Sequence, residues 1–592
     1  MENQTENIEA SEQSDNKKWK NRNRILPSIL ISLLIPLILC FAIPFEIYAN
    51  NMQEFLFGLW DFLPLCIVLG VIGTAVFLSV LLFVPERVYK ILSFLILVFA
   101  LLLFVQGTYL NAGLNSLEGD TISGTPSWAT KIINIFIWIA LLGGAVGVTF
   151  INDKKGIIKI VSLVLAVIII AVHLMIPVFA VINNNGVFMS KEDKLNSDGG
   201  ANAVRFVSTK NLTTVSSNRN VFYFCIDRFD EHYAEDVYEH NPELFDILEG
   251  FTSFQDHIAL YGHTFPGVAH MLTNYRYDIS LFRAQNLNKA YEENTTLKTL
   301  HEKGYKINIY GERFYDYNNA NGLPDYVENI SSVYKTKVNK PFLLSSHMVC
   351  LALYRCFPLL IKPIFASISS DTCNSFVSIR DTDGYEDYTS GNKKVLKLVK
   401  ETPFNTVEEN VFSFLHFTGC HNVNFDYKDG KAQPSKSDLK GITDSVRDCF
   451  EIINQYITAL KEIGAYKDAT IIITGDHSAP GKDRDEITSA KLTAMYFKPA
   501  GEDEGLKFSS AKACQDNIWA TIMQSEKIET QEDYGLSLFS PELEKDVERE
   551  YIWQTYKHFS LDEYYYKITG SGRTFDNWEL TKTVHADKYL MD

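Results

Sequence analysis

Five long apolar stretches in the first third of the chain constrain its fold more than any other feature. They cover residues 25–49, 62–84, 91–110, 132–150 and 160–182. An α-helix needs about 20 apolar residues to cross the hydrocarbon core of a bilayer. Because a spanning helix satisfies its own backbone polar groups, these stretches predict five transmembrane helices. The first stretch is too long for a signal peptide, and no small-residue cleavage site follows it promptly, so we expect an uncleaved anchor.

Basic residues are distributed unevenly among the segments between these stretches. Residues 1–24 contain five Lys or Arg, and the loops after the second and fourth stretches contain two and three. The alternate loops, 50–61 and 109–131, contain a single basic residue, Lys131. Cytoplasmic loops carry the excess of Lys and Arg. This pattern predicts a multi-pass protein of the cell membrane with a cytosolic N-terminus and an extracytoplasmic C-terminal part.

The chain of 592 residues is therefore predicted to have four parts. Residues 1–24 are a disordered, basic cytosolic N-terminus, and 25–183 form the five-helix transmembrane bundle. Residues 184–220 are polar and predict a juxtamembrane linker. Residues 221–592 form an extracytoplasmic domain. The net charge of -17 argues against a nucleic-acid partner, because binding to phosphate backbones requires a basic face.

Short apolar runs alternate with helix-length segments in residues 221–592. The runs are predicted strands at 221–226, 305–310, 411–417, 470–474 and 492–497, and one of the predicted helices is 445–462. Most runs are continuously apolar, which is typical of strands covered on both faces. Strands alternating with helices predict an α/β domain with a doubly wound, mostly parallel sheet. Ligands of such sheets bind beyond the carboxyl ends of the strands.

Polar side chains follow three of these predicted strands. Asp227 comes directly after the first, and Asp476 and His477 come after the fourth. His416 lies near the end of the third, and His421 follows it. A single carboxylate at a strand end is most often a turn or capping residue. Three such groups at one edge of a sheet predict a site that binds a metal ion or a phosphate.

The order of these motifs resembles that of the sulfatase/alkaline-phosphatase superfamily. Asp227 is followed by the segment TFPGVAHMLT at 264–273, then by His416 and Gly-Cys-His421, and then by Gly-Asp476-His477. With five apolar stretches in front, the chain looks most like the membrane-anchored branch that holds lipoteichoic acid synthases and lipid phosphoethanolamine transferases. The resemblance implies an alkaline-phosphatase-like fold over residues 221–525.

The same resemblance implies the roles of the site residues. One divalent metal ion would be held by Asp227, Thr264, Asp476 and His477, and Thr264 would be the catalytic nucleophile. A threonine hydroxyl is too weak an acid to attack phosphorus at neutral pH unless its alkoxide is stabilised, which a divalent cation can do. Pro266 suits the first position of a helix, so Thr264 would precede a helix N-terminus, where an anion is favoured.

The chain also departs from members of the superfamily that use formylglycine. Those enzymes have Cys or Ser where this chain has Thr264, and Arg where it has Val268. These differences count against hydrolysis of sulfate esters. No clear histidine follows His477 before His558, so we expect one metal ion. Three oxygen ligands and one imidazole favour Mn²⁺, with Mg²⁺ or Zn²⁺ as alternatives.

The remaining histidines and the membrane anchor complete the functional hypothesis. We expect His416 and His421 to bind the substrate phosphate or to protonate the leaving group. A lipid donor reaches a membrane-anchored enzyme within the bilayer plane. The hypothesis is a transferase that moves a phosphoglycerol- or phosphoethanolamine-type headgroup from a phospholipid to an extracytoplasmic glycan or lipid acceptor through a phosphothreonine. The alternatives are a sulfatase-like phosphodiesterase or sulfuric-ester hydrolase, and a non-catalytic lipid-sensing regulator.

One further apolar segment, 342–368, is interrupted by His347, Arg355 and Lys362. If this segment crossed the membrane, Asp227 and Asp476 would lie on opposite sides and could not share a site. Two interpretations remain open. The segment is either an insertion that lies against the bilayer or over the site, or a helix pair that covers the core.

Overall fold

The computed structural model describes residues 24–586 except 53–54, 112–126, 152–155, 185, 192, 194–204, 282, 312–322, 334, 366–369, 422–424, 429–430, 435–437, 480–486 and 558–559. The predicted disorder of the N-terminus lies outside the described residues. The chain divides into two compact units. The membrane unit contains Met1–Ala203 and Tyr334–Ile379, and the α/β unit contains Val204–Val333 and Arg380–Asp592.

The helices are described first, in chain order. They are α1 (Arg24–Asn50), α2 (Leu59–Phe83), α3 (Glu86–Tyr109), α4 (Trp128–Val148), α5 (Ile157–Asn183), α6 (Glu231–His240), α7 (Thr264–Thr273), α8 (Arg283–Glu292), α9 (Thr296–Glu302), α10 (Pro341–Cys356), α11 (Ser370–Asn374), α12 (Asn392–Glu401), α13 (Asp438–Glu462) and α14 (Asn517–Ser525).

The strands follow the same order. They are β1 (Arg205–Val207), β2 (Thr214–Ser216), β3 (Asn220–Ile226), β4 (Thr252–Ile258), β5 (Tyr305–Tyr310), β6 (Ile330–Ser332), β7 (Lys335–Val338), β8 (Val377–Arg380), β9 (Asn405–Val407), β10 (Asn410–Phe417), β11 (Phe425–Lys428), β12 (Lys431–Pro434), β13 (Thr470–Thr474), β14 (Met495–Lys498), β15 (Lys507–Cys514), β16 (Glu548–Lys557), β17 (Ser560–Thr569) and β18 (Trp578–Ala586).

Helices α1 to α5 confirm the five predicted apolar helices. Each is 21 to 27 residues long, with a mean hydropathy of 2.0 to 2.9 in its most apolar window. Their ends are capped by polar groups: Ser127 accepts a hydrogen bond from the backbone of Thr130 at the start of α4. At the start of α2, the Asp61 carboxylate accepts one from the backbone of Gly58. Such caps satisfy groups that the helix itself leaves unpaired.

The apolar segment 342–368 contributes α10 to the membrane unit. The Ser345 hydroxyl in α10 donates to the carbonyl of Phe62 in α2 at 3.0 Å. An added Cβ at Gly107 of α3 would lie 3.2 Å from the sulfur of Cys356, so α10 and α3 pack closely. Arg355 forms an ion pair with Glu46 of α1 at 3.1 Å. The boundary predicted at 221–592 is corrected accordingly, because residues 334–379 pack with the membrane helices.

The predicted linker 184–220 also contains ordered strands. Strand β1 pairs antiparallel with β6, and β2 pairs in parallel with β9. Both partners lie far along the chain, so the polar composition of this segment does not reveal the backbone hydrogen bonds that order it. The α/β unit therefore begins near residue 204 rather than at 221.

The α/β unit is built around a sheet of seven strands in the order β15-β4-β14-β13-β3-β10-β5. Among the described strands of this sheet, β14 runs antiparallel to both of its neighbours and the other pairings are parallel, which confirms the mostly parallel fold class. The predicted strand 492–497 is β14, shifted to Met495–Lys498. Each residue of the central strand β3 is buried. Helix α13 packs against the sheet through the predicted apolar face of 445–462, and it begins earlier, at Asp438.

A second sheet, β16-β17-β18, is antiparallel and lies near the C-terminus. A buried ion pair joins it to the central sheet, with Arg549 of β16 3.0 Å from Asp256 of β4. The same guanidinium donates to the carbonyls of Ala513 and Gly570, and the backbone of Gly572 donates to Asp256. Because every charge of this pair has hydrogen-bonding partners, burial does not leave an isolated ion.

Candidate active site

The polar residues of the site converge because three neighbouring strands end at the same level. In the parallel register, Cys225 of β3 lies opposite both Thr474 of β13 and His416 of β10. Asp227 comes two residues after Cys225, and Asp476 comes two residues after its partner Thr474. The two carboxylates and His416 therefore meet at the carboxyl edge of the sheet, as predicted from the sequence.

Asp227, Asp476 and His477 form a buried cluster in which the ligand atoms lie within 4.8 Å of one another. The Nε2 atom of His477 is 3.7 Å from an oxygen of Asp227 and 3.6 Å from an oxygen of Asp476. Asp227 is 6% exposed, and Asp476 is 0% exposed. Among the described residues, this is the group of acidic, histidine and cysteine side chains that is arranged to hold a metal ion.

The orientation of His477 is determined by a hydrogen bond on the far side of its ring. Its Nδ1 lies 2.8 Å from the carbonyl oxygen of Ser478. A carbonyl can only accept, so Nδ1 carries the proton and donates it. The Nε2 lone pair then faces the space that His477 shares with the two carboxylates, which is the orientation of a metal-ligating histidine.

Asp476 is held by backbone donors as well as by its neighbours. One of its oxygens accepts hydrogen bonds from the backbone N–H groups of Arg228 and His477, both at 2.9 Å. Burial by itself would raise the pKa of this carboxyl, but His477, His416 and the Arg228 backbone lower the pKa overall. The fold therefore favours the charged form of Asp476, which is the form that binds a cation.

The donor set fits a divalent cation. Two carboxylates this close and this buried repel each other unless a positive charge compensates them. Donor separations of 3.6 and 3.7 Å are short enough for the ligands to share one ion, because two ligands that each lie about 2.1 Å from it can be at most about 4.2 Å apart. Oxygen-rich sites with one imidazole suit Mn²⁺ or Mg²⁺, and Zn²⁺ also accepts carboxylate and imidazole ligands.

Thr264 lies beside this cluster at the start of α7. Its hydroxyl oxygen is 3.4 Å from Nε2 of His477, and the hydroxyl donates to the lone pair there. Phe265 has an extended backbone, so the regular helix begins at Pro266, as expected from the sequence. The half-buried hydroxyl therefore stands next to the three predicted metal ligands and just ahead of a helix N-terminus.

The two remaining predicted site residues, His416 and His421, differ from each other in their distance from the cluster and in their burial. His416 is 0% exposed, and its Nε2 is 3.9 Å from the Asp227 oxygen that faces away from His477. His416 therefore borders the cluster directly. His421 lies in the turn after β10 with an exposed side chain, and its carbonyl accepts a hydrogen bond from Arg228.

Two glycines let the strand ends approach each other this closely. Gly419 has a positive φ of 55°, and a Cβ there would lie 2.5 Å from the carbonyl oxygen of Asp227. A Cβ at Gly475 would lie 2.8 Å from the carbonyl oxygen of Phe229. Only glycine fits at these contacts. In the sequence, the position of these glycines just before His421 and Asp476 was the only indication of such close contacts.

Sequence reasoning missed a lysine and an aspartate that hold the segment after His477. Asp230 accepts a hydrogen bond from the backbone of Ala479 at 2.9 Å, and the buried Lys491 ammonium donates to the carbonyl of Ala479 at 3.0 Å. Burial lowers the pKa of Lys491 to about 8, while the nearby Asp230 charge raises it. These contacts position His477 from outside the cluster.

The C-terminal sheet forms a wall beside Thr264, which sequence reasoning also missed. The backbone of Ile552 donates to the carbonyl of Leu260 at 2.7 Å, so β16 runs along the segment before Thr264. His263 donates from Nε2 to the carbonyl of Gln554 at 2.8 Å. Burial lowers the pKa of His263 to about 4, so His263 is neutral. No motif in residues 548–586 indicated this proximity.

Arg228 is a further residue that the sequence did not identify. It follows Asp227 directly and has a φ of 58°, in the left-handed region. This conformation costs a residue other than glycine about 1 to 2 kcal/mol. Backbone strain of this kind is concentrated at functional sites, where surrounding contacts maintain it.

The family comparison agrees with this geometry. The family model described as Sulfatase matches residues 219–509. That range contains Asp227, Thr264, His416, His421 and the Asp-His pair of the site. Among curated proteins, no sequence matches this chain.

Several solved structures are similar to the chain at low sequence identity. A protein in the alkaline phosphatase superfamily from Vibrio parahaemolyticus is 12% identical and covers 67% of this chain and 86% of its own, with a TM-score of 0.31. The lipoteichoic acid synthase LtaP from Listeria monocytogenes is 9% identical, with coverages of 64% and 90% and a TM-score of 0.33. The phosphonate monoester hydrolase SpPMH from Silicibacter pomeroyi is 13% identical, with coverages of 60% and 87% and a TM-score of 0.36.

Proposed function

We propose that this chain, in which residues 219–509 match the sulfatase family model, is an enzyme of the alkaline phosphatase superfamily and a membrane-anchored headgroup transferase. It takes a phosphoglycerol- or phosphoethanolamine-type group from a phospholipid and passes it to an extracytoplasmic glycan or lipid acceptor. The observation that carries this proposal is the Thr264 hydroxyl, 3.4 Å from Nε2 of His477 at the edge of the Asp-His cluster. A threonine cannot become formylglycine, so phosphoryl transfer is favoured over sulfate-ester hydrolysis.

The first half-reaction moves the headgroup from the lipid to the enzyme. The Thr264 oxygen attacks phosphorus and its hydroxyl proton passes to solvent water, the Oγ–P bond forms, and the bond from phosphorus to the diacylglycerol oxygen breaks. His416 or His421 gives a proton to that oxygen, so that diacylglycerol leaves neutral. The product on the enzyme is a phosphodiester between Thr264 and the headgroup.

The second half-reaction regenerates the enzyme. The acceptor hydroxyl loses its proton to the same histidine and attacks phosphorus. The bond between phosphorus and Thr264 breaks, and the threonine oxygen takes a proton from solvent water, which returns the proton released in the first half-reaction. Water in place of the acceptor would make the same chemistry a phosphodiester hydrolysis.

We propose that Asp227, Thr264, Asp476 and His477 hold one divalent ion, with Mn²⁺ favoured over Mg²⁺ and Zn²⁺. When bound, such an ion stabilises the alkoxide of the nucleophile and the charge on the phosphoryl oxygens. Hydrogen bonds from Arg228 and His477 to Asp476, and from His477 to Ser478, hold the ligands in place.

Vesicles of labelled phospholipid test this function. The full chain, loaded with Mn²⁺, should release diacylglycerol and acquire a mass on the peptide containing Thr264 that corresponds to the headgroup. Anionic phosphatidylglycerol and zwitterionic phosphatidylethanolamine are compared side by side to identify the donor. Release of diacylglycerol with free headgroup phosphate as the only other product would indicate a phosphodiesterase. Hydrolysis of a sulfate ester without any action on phospholipid would overturn the proposal.

The orientation in the membrane is part of the same proposal. Arg24 at the start of α1 forms an ion pair with Glu86 at the start of α3, so these two ends share one side of the bundle. The opposite end of α1 carries Glu46, which pairs with Arg355 of α10. This arrangement is consistent with a cytosolic N-terminus and an extracytoplasmic α10.

Cysteine labelling in intact cells tests this orientation. In a background without accessible native thiols, a membrane-impermeant reagent should label Leu195→Cys and leave Lys155→Cys protected until the cells are permeabilised. We expect this pattern because the positive-inside rule places the loop at 155 in the cytosol. The reverse pattern would put the α/β unit in the cytosol.

A further inference from the structure

Arg228 occupies a strained position between two predicted metal ligands. Its left-handed backbone, with a φ of 58°, directs its N–H group to Asp476 at 2.9 Å while the residue remains covalently attached to Asp227. A glycine would adopt this conformation without strain and would supply the same backbone N–H. The presence of an arginine is therefore explained by its side chain.

The guanidinium lies at the rim of the cluster. Its Nη1 donates to the carbonyl oxygen of His421 at 2.9 Å, which places it beside the turn after β10. The guanidinium is thus held at the turn that carries His421, which follows the strand of His416 at the edge of the cluster.

One donor of this guanidinium is buried without a partner. Within the part of the chain that the structure describes, the Nε–H group of Arg228 makes no hydrogen bond. Leaving such a donor unsatisfied is costly, and the great majority of buried polar groups in proteins are paired. A ligand that brings an anionic oxygen to this rim would satisfy it.

The charge balance of the site points to the same kind of ligand. A divalent ion would neutralise the charges of Asp227 and Asp476. Arg228 then adds one positive charge at the rim of the cluster. A phosphodiester carries one negative charge on its non-bridging oxygens, and guanidinium groups match the planar geometry of such oxyanions.

We propose that Arg228 is a substrate-positioning residue whose Nε–H binds a non-bridging oxygen of the phosphodiester that Thr264 attacks. This inference rests on the proposed function, and it identifies Arg228 as the side chain that binds the anionic substrate. It restricts the substrate to a phosphorus ester that carries at least one negative charge beside the scissile bond.

Direct binding of inorganic phosphate tests this role without requiring turnover. The probe is inorganic phosphate titrated calorimetrically into the full chain loaded with Mn²⁺, for the wild type, Arg228→Gly, Arg228→Lys and the control Arg380→Gln. Glycine keeps the left-handed backbone and removes the guanidinium. Arg380 is an exposed arginine whose Nε donates to Glu386 at 3.1 Å, so Arg380→Gln removes a guanidinium outside the site.

We expect Arg228→Gly to bind one equivalent of metal like the wild type but to weaken phosphate binding at least tenfold. Arg228→Lys should retain part of the affinity because it keeps the charge, and Arg380→Gln should bind phosphate as the wild type does. With bis(p-nitrophenyl) phosphate as substrate, removal of one oxyanion donor should lower kcat about 10²- to 10³-fold.

Three results would overturn the proposal. They are unchanged phosphate affinity in Arg228→Gly, loss of the metal ion in that variant, and a metal-loaded wild type that binds no phosphate. The metal loss would mean that Arg228 acts through the Asp227 ligand. Failure of the proposed function is a separate outcome: the wild type would leave phospholipid vesicles unchanged while Arg228→Gly still lost phosphate affinity.

Discussion

Replacing Thr264 with alanine should lower the rate of headgroup transfer by at least about 10³-fold, as expected when a covalent nucleophile is removed. The hydroxyl is the group that would form the bond to phosphorus, and it lies 3.4 Å from His477. The fold should be retained, because loss of one half-buried hydroxyl changes stability by about 1 kcal/mol or less. The measurement is the initial rate of diacylglycerol release from phospholipid vesicles.

Two further variants make the Thr264 result specific. Thr264→Ser keeps a hydroxyl and should retain part of the activity. Thr273→Ala removes a hydroxyl at the other end of the same helix, where it donates to the carbonyl of Ala269, and should transfer headgroups at close to the wild-type rate. If Thr264→Ala kept more than a few per cent of the wild-type rate, water would be the attacking group and the enzyme would be a hydrolase.

Asp476→Asn should abolish metal binding and, with it, activity. The carboxylate is fully buried within the cluster, and an amide removes the charge while keeping nearly the same shape. Its carbonyl oxygen can still accept the hydrogen bonds from the backbones of Arg228 and His477, so the loop should keep its conformation. Elemental analysis of the purified full chain should find one equivalent of divalent metal in the wild type and none in the variant.

The control for this experiment is an acidic residue outside the site. Asp503 is exposed and pairs with Lys467 at 3.1 Å, so Asp503→Asn removes the same charge far from the ligands. It should keep one equivalent of metal. Two equivalents of metal in the wild type would contradict the single-ion site and would support a two-metal phosphatase mechanism.

The sequence by itself determined the elements that depend on local patterns. The five apolar helices could be predicted because a bilayer requires long continuous hydrophobic segments. The strands Tyr305–Tyr310 and Thr470–Thr474 appear with the predicted bounds, since a short, continuously apolar run suits a strand buried on both faces. The convergence of Asp227 and Asp476 followed from the rule that parallel strands end at one edge.

Only the tertiary structure decided the features that depend on contacts between distant parts of the chain. Helix α10 belongs to the membrane unit because Ser345, Cys356 and Arg355 contact helices more than 200 residues earlier in the chain. The wall beside Thr264 exists because β16 pairs with the segment around Leu260. In both cases, the local sequence of one segment does not predict which distant segment it contacts.

The role inferred for Arg228 also depends on a contact between distant parts of the chain. In the sequence it is one arginine after an aspartate, and nothing nearby marks a left-handed backbone. That conformation is imposed by the hydrogen bond from its N–H to Asp476, on a strand end 248 residues away. Local preference disfavours a positive φ for arginine, so only the assembled sheet edge stabilises it and aligns its guanidinium with the site.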